Sequence, residues 1–320
     1  MERLLLDTDL AMGSPGSDID DGFALALALA DPELRVELVT TVNGNTDVDT
    51  ATRLTLELLE RLGRTDVPVA RGACSPLVRS APRSPEDAER VLPPGTAVSG
   101  RHVEHAARHL VERVMAEPGE LTIVAIGPLT NVAVALALEP RLATATKEIV
   151  VMGGVYLAHT NVAAMPGEFN FWVDPEAAAM VLASGARVRL VGLDVTRQVR
   201  LSVEDAARLR EARGGFGSFA ADCTDEWIAH LRRTVPGDER EHDSCALHDP
   251  LAVAAVHHPE LLTWREARVS VETSGEHTRG VSVADLLSTD PAPEPNCRIA
   301  VGVDVDGFRE HLLERLAALP

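Results

Sequence analysis

The sequence predicts an α/β protein with an open, mostly parallel, Rossmann-like sheet and helices on both faces. Three observations support this fold class: short apolar runs typical of buried strands, Ala-rich amphipathic segments between them, and polar residues directly after each run. The chain has 320 residues, of which 45% are hydrophobic, so it can bury a large core. Because no internal repeat or long linker divides it, we expect one domain over residues 1–320.

Five apolar runs are the predicted parallel strands, and each is followed by a helical pattern. In chain order they read RLLLD, VELVTTV, LTIVAIG, EIVVMGG and VRLVGLD. Near the end of the chain, VGVDVDGFREHLLERLAAL predicts a strand, a turn and an amphipathic helix. Three stretches rich in Pro, Gly, Arg or Ser are predicted surface loops, namely CSPLVRSAPRSPEDAERVLPPGTAVSGRH, ARGGFGS and RRTVPGDEREHDS. In such a sheet ligands bind beyond the carboxyl ends of the strands, so we expect the functional site there.

The overall charge and the cysteine pattern exclude several classes of partner. A net charge of −19 would repel nucleic acid and anionic membranes, which leaves small neutral molecules or cations as partners. The four cysteines are widely spaced, without a CxxC pair, and the N-terminus lacks a signal-peptide pattern. No apolar stretch reaches the roughly 20 residues that span a bilayer. We therefore expect a cytoplasmic protein.

Five aspartates in the stretch DTDLAMGSPGSDIDD follow the first predicted strand. No Lys or Arg occurs between Arg3 and Arg35 to neutralise them. Three interpretations remain open: a site for a hard cation, a nucleophile for phosphoryl transfer, or a turn in which Asp18 or Asp20 caps the next helix. Because capping needs only one carboxylate, we favour a cation. Ca²⁺ is the first choice and Mg²⁺ the second, since zinc would require nearby His or Cys.

Two distant segments are candidates to complete such a site. In CALHDPLAVAAV, Asp249 lies between His248 and a Pro-led apolar helix, although Asp-Pro is also a common helix start. In GEFNFWVDPEAA, Glu168 and Asn170 would point the same way if the segment is extended, with aromatic residues between them. A carboxylate and an amide can bind vicinal hydroxyls of a sugar. The alternative is an ordinary loop before a helix.

Taken together and in this order, these pieces resemble the inosine-uridine-type nucleoside hydrolase family over most of the chain. The motifs are the first-strand aspartates ending in DD, then TTVNGN, GPLTNVA, VVMGG, the N…EFN…VDPEAA loop and the late HDP. The resemblance implies an enzyme that cleaves the N-glycosidic bond of a ribonucleoside with water, giving ribose and free base. It also implies the open α/β fold and tightly bound Ca²⁺.

The resemblance assigns roles to individual residues. Asp20 matches the general base that activates a metal-oriented water, and His248 matches a histidine near the departing base. The metal ligands would be Asp9, Asp21, the backbone carbonyl of Ile126, and Asp249. The ribose contacts would be Asn45, Met152, Asn161, Glu168 and Asn170. Asp7 is expected to be structural, beneath the site.

The chemistry also follows from the residue types. Hydrolysis of an N-riboside passes through an oxocarbenium-like state, which needs negative charge near the ring and a positioned water. Aspartates supply both. His248 is suited to protonating or hydrogen-bonding the base, because an unperturbed imidazole titrates near pH 6.5.

Two segments depart from the family pattern. Ten residues, LAMGSPGSDI, intervene between Asp9 and Asp20, so Asp18 is a candidate to replace or supplement Asp9 as a ligand. Glycines in this insert allow a tight excursion at positive φ. The family's His-Gly motif is missing from AVSGRHVEHAARH, where His102 is a candidate substitute.

The base-binding side of the site has two further candidates. Trp227 and His230 lie in DEWIAHL, which is equally consistent with an amphipathic helix that buries Trp227.

Two other functions remain as alternatives. One is a non-catalytic ribose or nucleoside binder, and the other, less favoured, is a haloacid-dehalogenase-type phosphatase in which Asp7 and Asp9 are nucleophile and acid. The partner is expected to be a small-molecule nucleoside, without nucleic acid or membrane. The resemblance alone implies a homo-oligomer, either a dimer or a tetramer.

Overall fold

A computed structural model describes residues 1–79, 102–158, 160, 165–211, 215–287 and 291–320. Backbone alone is described for residues 102 and 104. Of the predicted site residues, Asn161 lies outside the described residues, as does the side chain of His102.

The described residues form thirteen strands and twelve helices. The strands are β1 Glu2–Thr8, β2 Leu34–Thr41, β3 Val69–Arg71, β4 His102–Glu104, β5 Leu121–Ala125, β6 Glu148–Met152, β7 Val188–Val191, β8 Arg200–Ser202, β9 Ser244–Ala246, β10 Leu262–Ala267, β11 Val269–Val271, β12 Ser282–Ala284 and β13 Cys297–Val303. The helices are α1 Asp20–Ala30, α2 Val48–Arg61, α3 Ala106–Ala116, α4 Thr130–Leu138, α5 Leu142–Ala145, α6 Phe169–Val173, α7 Pro175–Ala183, α8 Leu193–Thr196, α9 Val203–Glu211, α10 Gly215–Thr234, α11 His248–His257 and α12 Val305–Ala317. Two short 3₁₀ turns span Glu239–His242 and Pro259–Leu261.

Nine of these strands form one sheet in the order β10-β13-β7-β6-β5-β1-β2-β3-β4. All neighbours pair in parallel except β10, which runs antiparallel to β13 at one edge. The five strands predicted from the sequence are β1, β2, β5, β6 and β7, and they occupy adjacent places in the middle of the sheet. Their carboxyl ends therefore meet at one edge, which confirms the predicted fold class.

Both faces of the sheet are buried, as parallel strands require. Successive residues of β1 alternate between two apolar cores: Leu4 and Leu6 belong to one, and Leu5 belongs to the other. Helices α1, α11 and α12 contribute to the first core, whereas α3, α4 and α7 contribute to the second. Because α1 and α11 pack against each other on one face, the loops that start them lie side by side.

The structure differs from the sequence-based expectation in one segment and does not meet a condition stated for another. The loop expected at ARGGFGS ends earlier, because α10 already begins at Gly215. Phe216 is fully buried and contacts Phe23 edge to face, with ring centroids 6.2 Å apart, so tertiary packing outweighs the glycine-rich composition. The segment around Asn170 is not extended but forms the short helix α6.

Among the helices that the structure describes, none is both long enough and apolar enough to cross a membrane.

Candidate active site

Three buried carboxylates meet where helices α1 and α11 begin. Asp20 and Asp21 are the first two residues of α1, and Asp249 lies in the first turn of α11. One carboxylate oxygen from each lies within 4.8 Å of the others. The N-terminus of a helix carries partial positive charge, which favours carboxylates at this position. The arrangement has the oxygen donors of a hard-cation site.

Asp20 also connects the two helices through the backbone. Its Oδ2 accepts hydrogen bonds from the backbone N–H groups of His248, at 3.0 Å, and Asp249, at 3.2 Å. These two bonds fix the orientation of the Asp20 carboxylate. The residue before α1 is Ile19, which offers no side-chain cap, so neither Asp18 nor Asp20 serves as the helix cap that was one interpretation of the sequence.

Asp9 is buried beside this cluster. Its Oδ2 accepts a hydrogen bond from the backbone N–H of Asn45 at 2.6 Å, whereas its Oδ1 is buried without a hydrogen-bond partner among the described residues. A Cβ added at Gly44 would lie 1.9 Å from Asp9 Oδ2, so only glycine allows this close approach. The unsatisfied oxygen of Asp9 is the kind of atom that a cation would satisfy.

Asp18 has a different setting from Asp9. It is half-buried, lines the neighbouring cavity, and accepts a hydrogen bond from the backbone N–H of Ile19 at 2.7 Å. The insert that carries it turns at Gly13 and Gly16, both at positive φ as predicted. The largest charge acting on Asp18 comes from Asp20, whereas the largest acting on Asp21 comes from Asp9.

A positive charge would stabilise the ionised form of this cluster, because its carboxyl groups have raised pKa values. Burial raises the pKa of Asp9 to about 7, with smaller contributions from Asp20 and Asp7. Burial, followed by the charges of Asp20 and Asp21, raises the pKa of Asp249 well above its usual range. The pKa of Asp21 is also raised well above its usual range, by burial and then by the charge of Asp9. A divalent cation among these carboxylates would offset both the cost of burying their charges and the repulsion between them. The donor set therefore fits such an ion.

Two further hydrogen bonds position the cluster. Thr8 Oγ1 donates to Asp21 Oδ1, and Asn45 Nδ2 donates to Asp21 Oδ2 at 2.9 Å. Asn45 therefore bridges Asp9 through its backbone and Asp21 through its side chain. This explains why NGN directly follows β2, the strand adjacent to β1.

Asp7 lies beneath the cluster, inside the sheet. It is fully buried, and its Oδ1 accepts hydrogen bonds from Thr40 Oγ1 at 2.5 Å and Asn131 Nδ2 at 2.7 Å. Burial raises its pKa to about 6. This setting agrees with the structural role expected for Asp7.

The Asn170 side chain connects the carboxyl ends of two neighbouring strands, β5 and β6. Its Nδ2 donates to the backbone carbonyls of Ile126, at 2.9 Å, and Met152, at 3.2 Å. The Glu168 carboxylate caps α6, accepting from the backbone N–H groups of Asn170 at 2.7 Å and Phe171 at 3.0 Å. The two side chains are thus arranged by a capped helical turn, and not by the period of an extended strand.

A cavity of about 280 Å³ brings most of these groups together. Its lining comprises Asp18, Asp20, Asn45, Ile126, Met152, Met165, Glu168, Phe169, Asn170, Leu193, Arg197, Trp227, His248 and Asp249. The volume is close to the lower end of the range for small-molecule sites, roughly 300 Å³. Helices α1, α6, α8, α10 and α11 and the segments at the carboxyl ends of β2, β5 and β6 thus contribute residues to one small cavity.

His248 is held at the wall of this cavity. Its Nδ1 lies 2.7 Å from Thr196 Oγ1. Burial lowers its pKa, although the charge of Asp20 partly opposes this. The imidazole is therefore favoured in its neutral form, which can still donate a hydrogen bond.

Trp227 and His230 occupy one face of α10. Their rings stack with centroids 5.3 Å apart and an angle of 10° between planes. Trp227 lines the cavity, and the His230 ring lies next to Gly16 of the insert. Helix α10 therefore contributes an aromatic side chain to the wall of the cavity.

Sequence reasoning did not single out several of the lining residues as functional. They are Met165, Leu193 and Arg197. The last two follow β7, in the stretch LDVTRQV. Their position after a central strand was the available signal, since no motif marks them.

The chain matches the family model described as inosine-uridine preferring nucleoside hydrolase over residues 4–310. The pyrimidine-specific ribonucleoside hydrolase RihA of Citrobacter koseri is 38% identical over 310 residues, covering 93% of this chain and 95% of that protein. A purine-preferring ribonucleoside hydrolase from Gardnerella vaginalis superposes with a TM-score of 0.85 at 31% identity, covering 99% of this chain and 98% of that one. A plant nucleoside hydrolase, PpNRh1, superposes with a TM-score of 0.82 at 30% identity and covers 99% of both chains.

The fold and these similarities therefore identify an enzyme of the nucleoside hydrolase class. The chain belongs to the inosine-uridine preferring nucleoside hydrolase family.

Proposed function

We propose that this protein hydrolyses the N-glycosidic bond of ribonucleosides, releasing ribose and free base, in the cavity between Asp20 and Asn170. The observation that carries this proposal is the meeting of Asp20, Asp21 and Asp249 within 4.8 Å. Two of them, Asp20 and Asp249, line the same cavity as Glu168 and Asn170. Anionic groups on one side suit an oxocarbenium-like transition state. Amide and carboxylate groups on the other suit a polyhydroxylated ring.

Calcium is the cation that this site suits best. Asp9, Asp21, Asp249 and the carbonyl of Ile126 would hold it, since all are oxygen donors and Oδ1 of Asp9 has no hydrogen-bond partner among the described residues. When bound, the ion supplies a Lewis acid and a fixed attachment point for hydroxyl oxygens. Magnesium is the second choice, because it requires stricter octahedral geometry.

Asp20 has the position of a general base. Two backbone N–H groups hold its Oδ2, so the carboxylate cannot rotate away from the cavity. It would accept the proton of the attacking water as the bond to the base breaks. The cluster of neighbouring carboxylates would stabilise the positive charge that develops on the ribose.

The other cavity residues would bind the two halves of the substrate. We assign the ribose to Asn45, Met152, Glu168 and Asn170, with Asn161 as a further candidate outside the described residues. His248 would donate a hydrogen bond to the departing base, oriented by Thr196.

Trp227 provides an aromatic surface against which a planar base can stack. The His230 ring, which stacks on Trp227, would hold the indole in place. His102 stays a prediction, as do the cytoplasmic location and the dimeric or tetrameric state.

A panel of nucleosides tests the proposal directly. Calcium-loaded protein is mixed with uridine, cytidine, inosine, guanosine and the matching 2′-deoxyribonucleosides, and reducing sugar is measured. We expect release of ribose from at least one ribonucleoside, and much less sugar from its deoxy form, because the 2′ hydroxyl is lost. No sugar from any member of the panel, with calcium bound, would contradict the proposal.

The structure argues against the phosphatase alternative. Asp7 is fully buried, and its Oδ1 is engaged by Thr40 and Asn131, so it is not placed to attack a substrate. Calorimetry distinguishes the proposed hydrolase from a non-catalytic nucleoside binder. Heat of nucleoside binding without any released sugar would favour the binder.

A further inference from the structure

We propose that the protein has a second metal site, formed by Asp31, His258 and His311, that takes a borderline divalent cation such as Zn²⁺. One ligand atom from each of these residues lies within 4.8 Å of the others. Imidazole and carboxylate together suit Zn²⁺ better than the all-oxygen donor set of the active site does. This site is independent of the nucleoside-binding cavity, and none of its residues lines that cavity.

The second site lies at the opposite ends of the helices that form the first. Asp31 is the C-terminal cap of α1, whose first residue is Asp20, and His258 is the C-terminal cap of α11, whose first residue is His248. With 11 residues in α1, a rise of 1.5 Å per residue separates the two sites by about 15 Å. The third ligand, His311, comes from α12, which packs against both helices.

The distance between two of the ligand atoms fits tetrahedral coordination. Asp31 Oδ2 and His311 Nε2 are 3.4 Å apart. With bonds of 2.0–2.1 Å, two ligands of a tetrahedral zinc lie about 3.4 Å from each other. His311 Nε2 is itself buried and forms no hydrogen bond with the described residues, so an available donor nitrogen points into the cluster.

The orientation and partial exposure of His258 suit a metal ligand on the solvent side of the site. Its Nδ1 lies 3.0 Å from Glu260 Oε1, which leaves Nε2 as the nitrogen that would bind a metal. A carboxylate on the other ring nitrogen is the usual support for a metal-binding histidine. The ring centroids of His258 and His311 are 4.5 Å apart, and the His258 side chain is 29% exposed, so an ion can enter and a water can fill the fourth position.

The local charges also favour a cation. Two helices, α1 and α11, end at the cluster, and the C-terminus of a helix carries partial negative charge. Burial, followed by the charge of His258, lowers the pKa of His311, so its imidazole is kept neutral and able to coordinate. The charges of Asp31 and, more weakly, Glu314 act in the opposite direction and raise this pKa, whereas the charge of Arg315 lowers it.

A bound ion would join the C-terminal helix to the core helices. Asp31, His258 and His311 belong to three separate elements, so coordination adds a link that only the folded chain can make. The expected consequence is a higher melting temperature in the presence of zinc. The cation would thus act as a structural clamp at a distance from the chemistry.

Zinc binding to the untagged full-length protein tests the proposal. The protein is stripped with a chelator, dialysed into excess calcium to fill the acidic cluster, and titrated with zinc against a chromophoric chelator. We expect one tight zinc equivalent that calcium does not displace, and a zinc-dependent rise of several degrees in Tm. Both should be lost in His258→Gln and His311→Gln.

Matched variants keep the result interpretable. His109→Gln is the control, because His109 is similarly exposed, at 32%, and likewise pairs with a glutamate, Glu112; it should bind zinc as the wild type does. Glu260→Gln should weaken zinc binding about tenfold without abolishing it. If His311→Gln fails to fold, Asp31→Asn replaces it.

Three results would overturn the proposal. They are absence of a zinc equivalent in the calcium-loaded wild type, displacement of zinc by calcium, and zinc affinity in His258→Gln equal to that of His109→Gln.

Discussion

Replacement of Asp20 by asparagine separates the role of general base from that of metal ligand. The side-chain oxygen of asparagine can still accept the backbone hydrogen bonds from His248 and Asp249, which measure 3.0 and 3.2 Å in the wild type. The junction between α1 and α11 should therefore survive. What the variant lacks is a group able to take a proton.

The magnitude follows from the chemistry of the lost group. Loss of a general base typically lowers the rate by 10²–10⁴-fold, which corresponds to about 3–5 kcal/mol in the activation free energy. One negative charge also disappears from beside Asp18, Asp21 and Asp249, whose pKa values its charge raises. Their pKa values should therefore fall, and metal-binding groups should ionise at lower pH.

The assay combines turnover with metal content. Initial rates of reducing-sugar release are measured on Asp20→Asn together with calcium bound per chain, and Asp18→Asn, two residues earlier on the insert, is the matched control. We expect kcat to fall at least a hundredfold for Asp20→Asn while calcium remains bound.

Two outcomes would refute this reasoning. Activity within a few-fold of the wild type would show that another group takes the proton. Loss of calcium together with activity would show that Asp20 is chiefly a ligand, which its place in the three-carboxylate cluster makes a real alternative.

Two further predictions concern the neighbouring aspartates. Asp9→Asn should weaken calcium binding by at least about tenfold, because the buried Oδ1 loses its charge, whereas Asp18→Asn should change it little; calcium titration of both variants measures this. Equal losses would instead make both residues ligands. In calcium-free buffer, Asp7→Asn should remove part of the pH dependence of stability. Because burial raises the folded-state pKa of Asp7 to about 6 from 3.8, its contribution is fully present below pH 4 and is lost as pH rises through 6, a change of about 3 kcal/mol. Denaturant unfolding at several pH values should show this fall in the wild type and less of it in Asp7→Asn, and parallel curves would refute it.

The central sheet was predictable because parallel strands are buried on both faces and read as continuous apolar runs. Leu4, Leu5 and Leu6 are all fully buried, although they alternate between two cores. The same reasoning predicted that the polar residues after adjacent strands meet at one edge of the sheet, where the candidate site lies. Neither inference depends on contacts that are distant in sequence.

The sequence could not predict features set by long-range packing. The start of α10 at Gly215 depends on the burial of Phe216 against Phe23, nearly 200 residues away in the chain. The helical turn at Asn170 depends on Glu168, whose carboxylate serves as its cap. A local pattern of charged and aromatic residues fits a strand and a helical turn equally well. Only the folded structure distinguishes them.

The choice between Asp9 and Asp18 also depends on packing. The insert, which follows Asp9 and contains Asp18, is anchored by buried side chains, including Leu10 and Met12. Met12 lies so close to α1 that a Cβ added at Gly22 would be 2.1 Å from its Sδ. This packing keeps the insert against the helix that carries Asp20 and Asp21. The number of residues in the insert does not reveal such contacts.

The close approach of α1 and α11 unites these observations. The facing sequences, ALALALA and LAVAAV, are rich in alanine, so the two helix backbones can come near each other. Only because they do so can Asp20 accept hydrogen bonds from the first turn of α11 and lie within 4.8 Å of Asp249. The small residues thus have a functional consequence that no motif displays: they set the separation of the carboxylates at one end of the helix pair. At the other end, the same separation brings Asp31 and His258 together, so both proposed metal sites depend on one apolar interface.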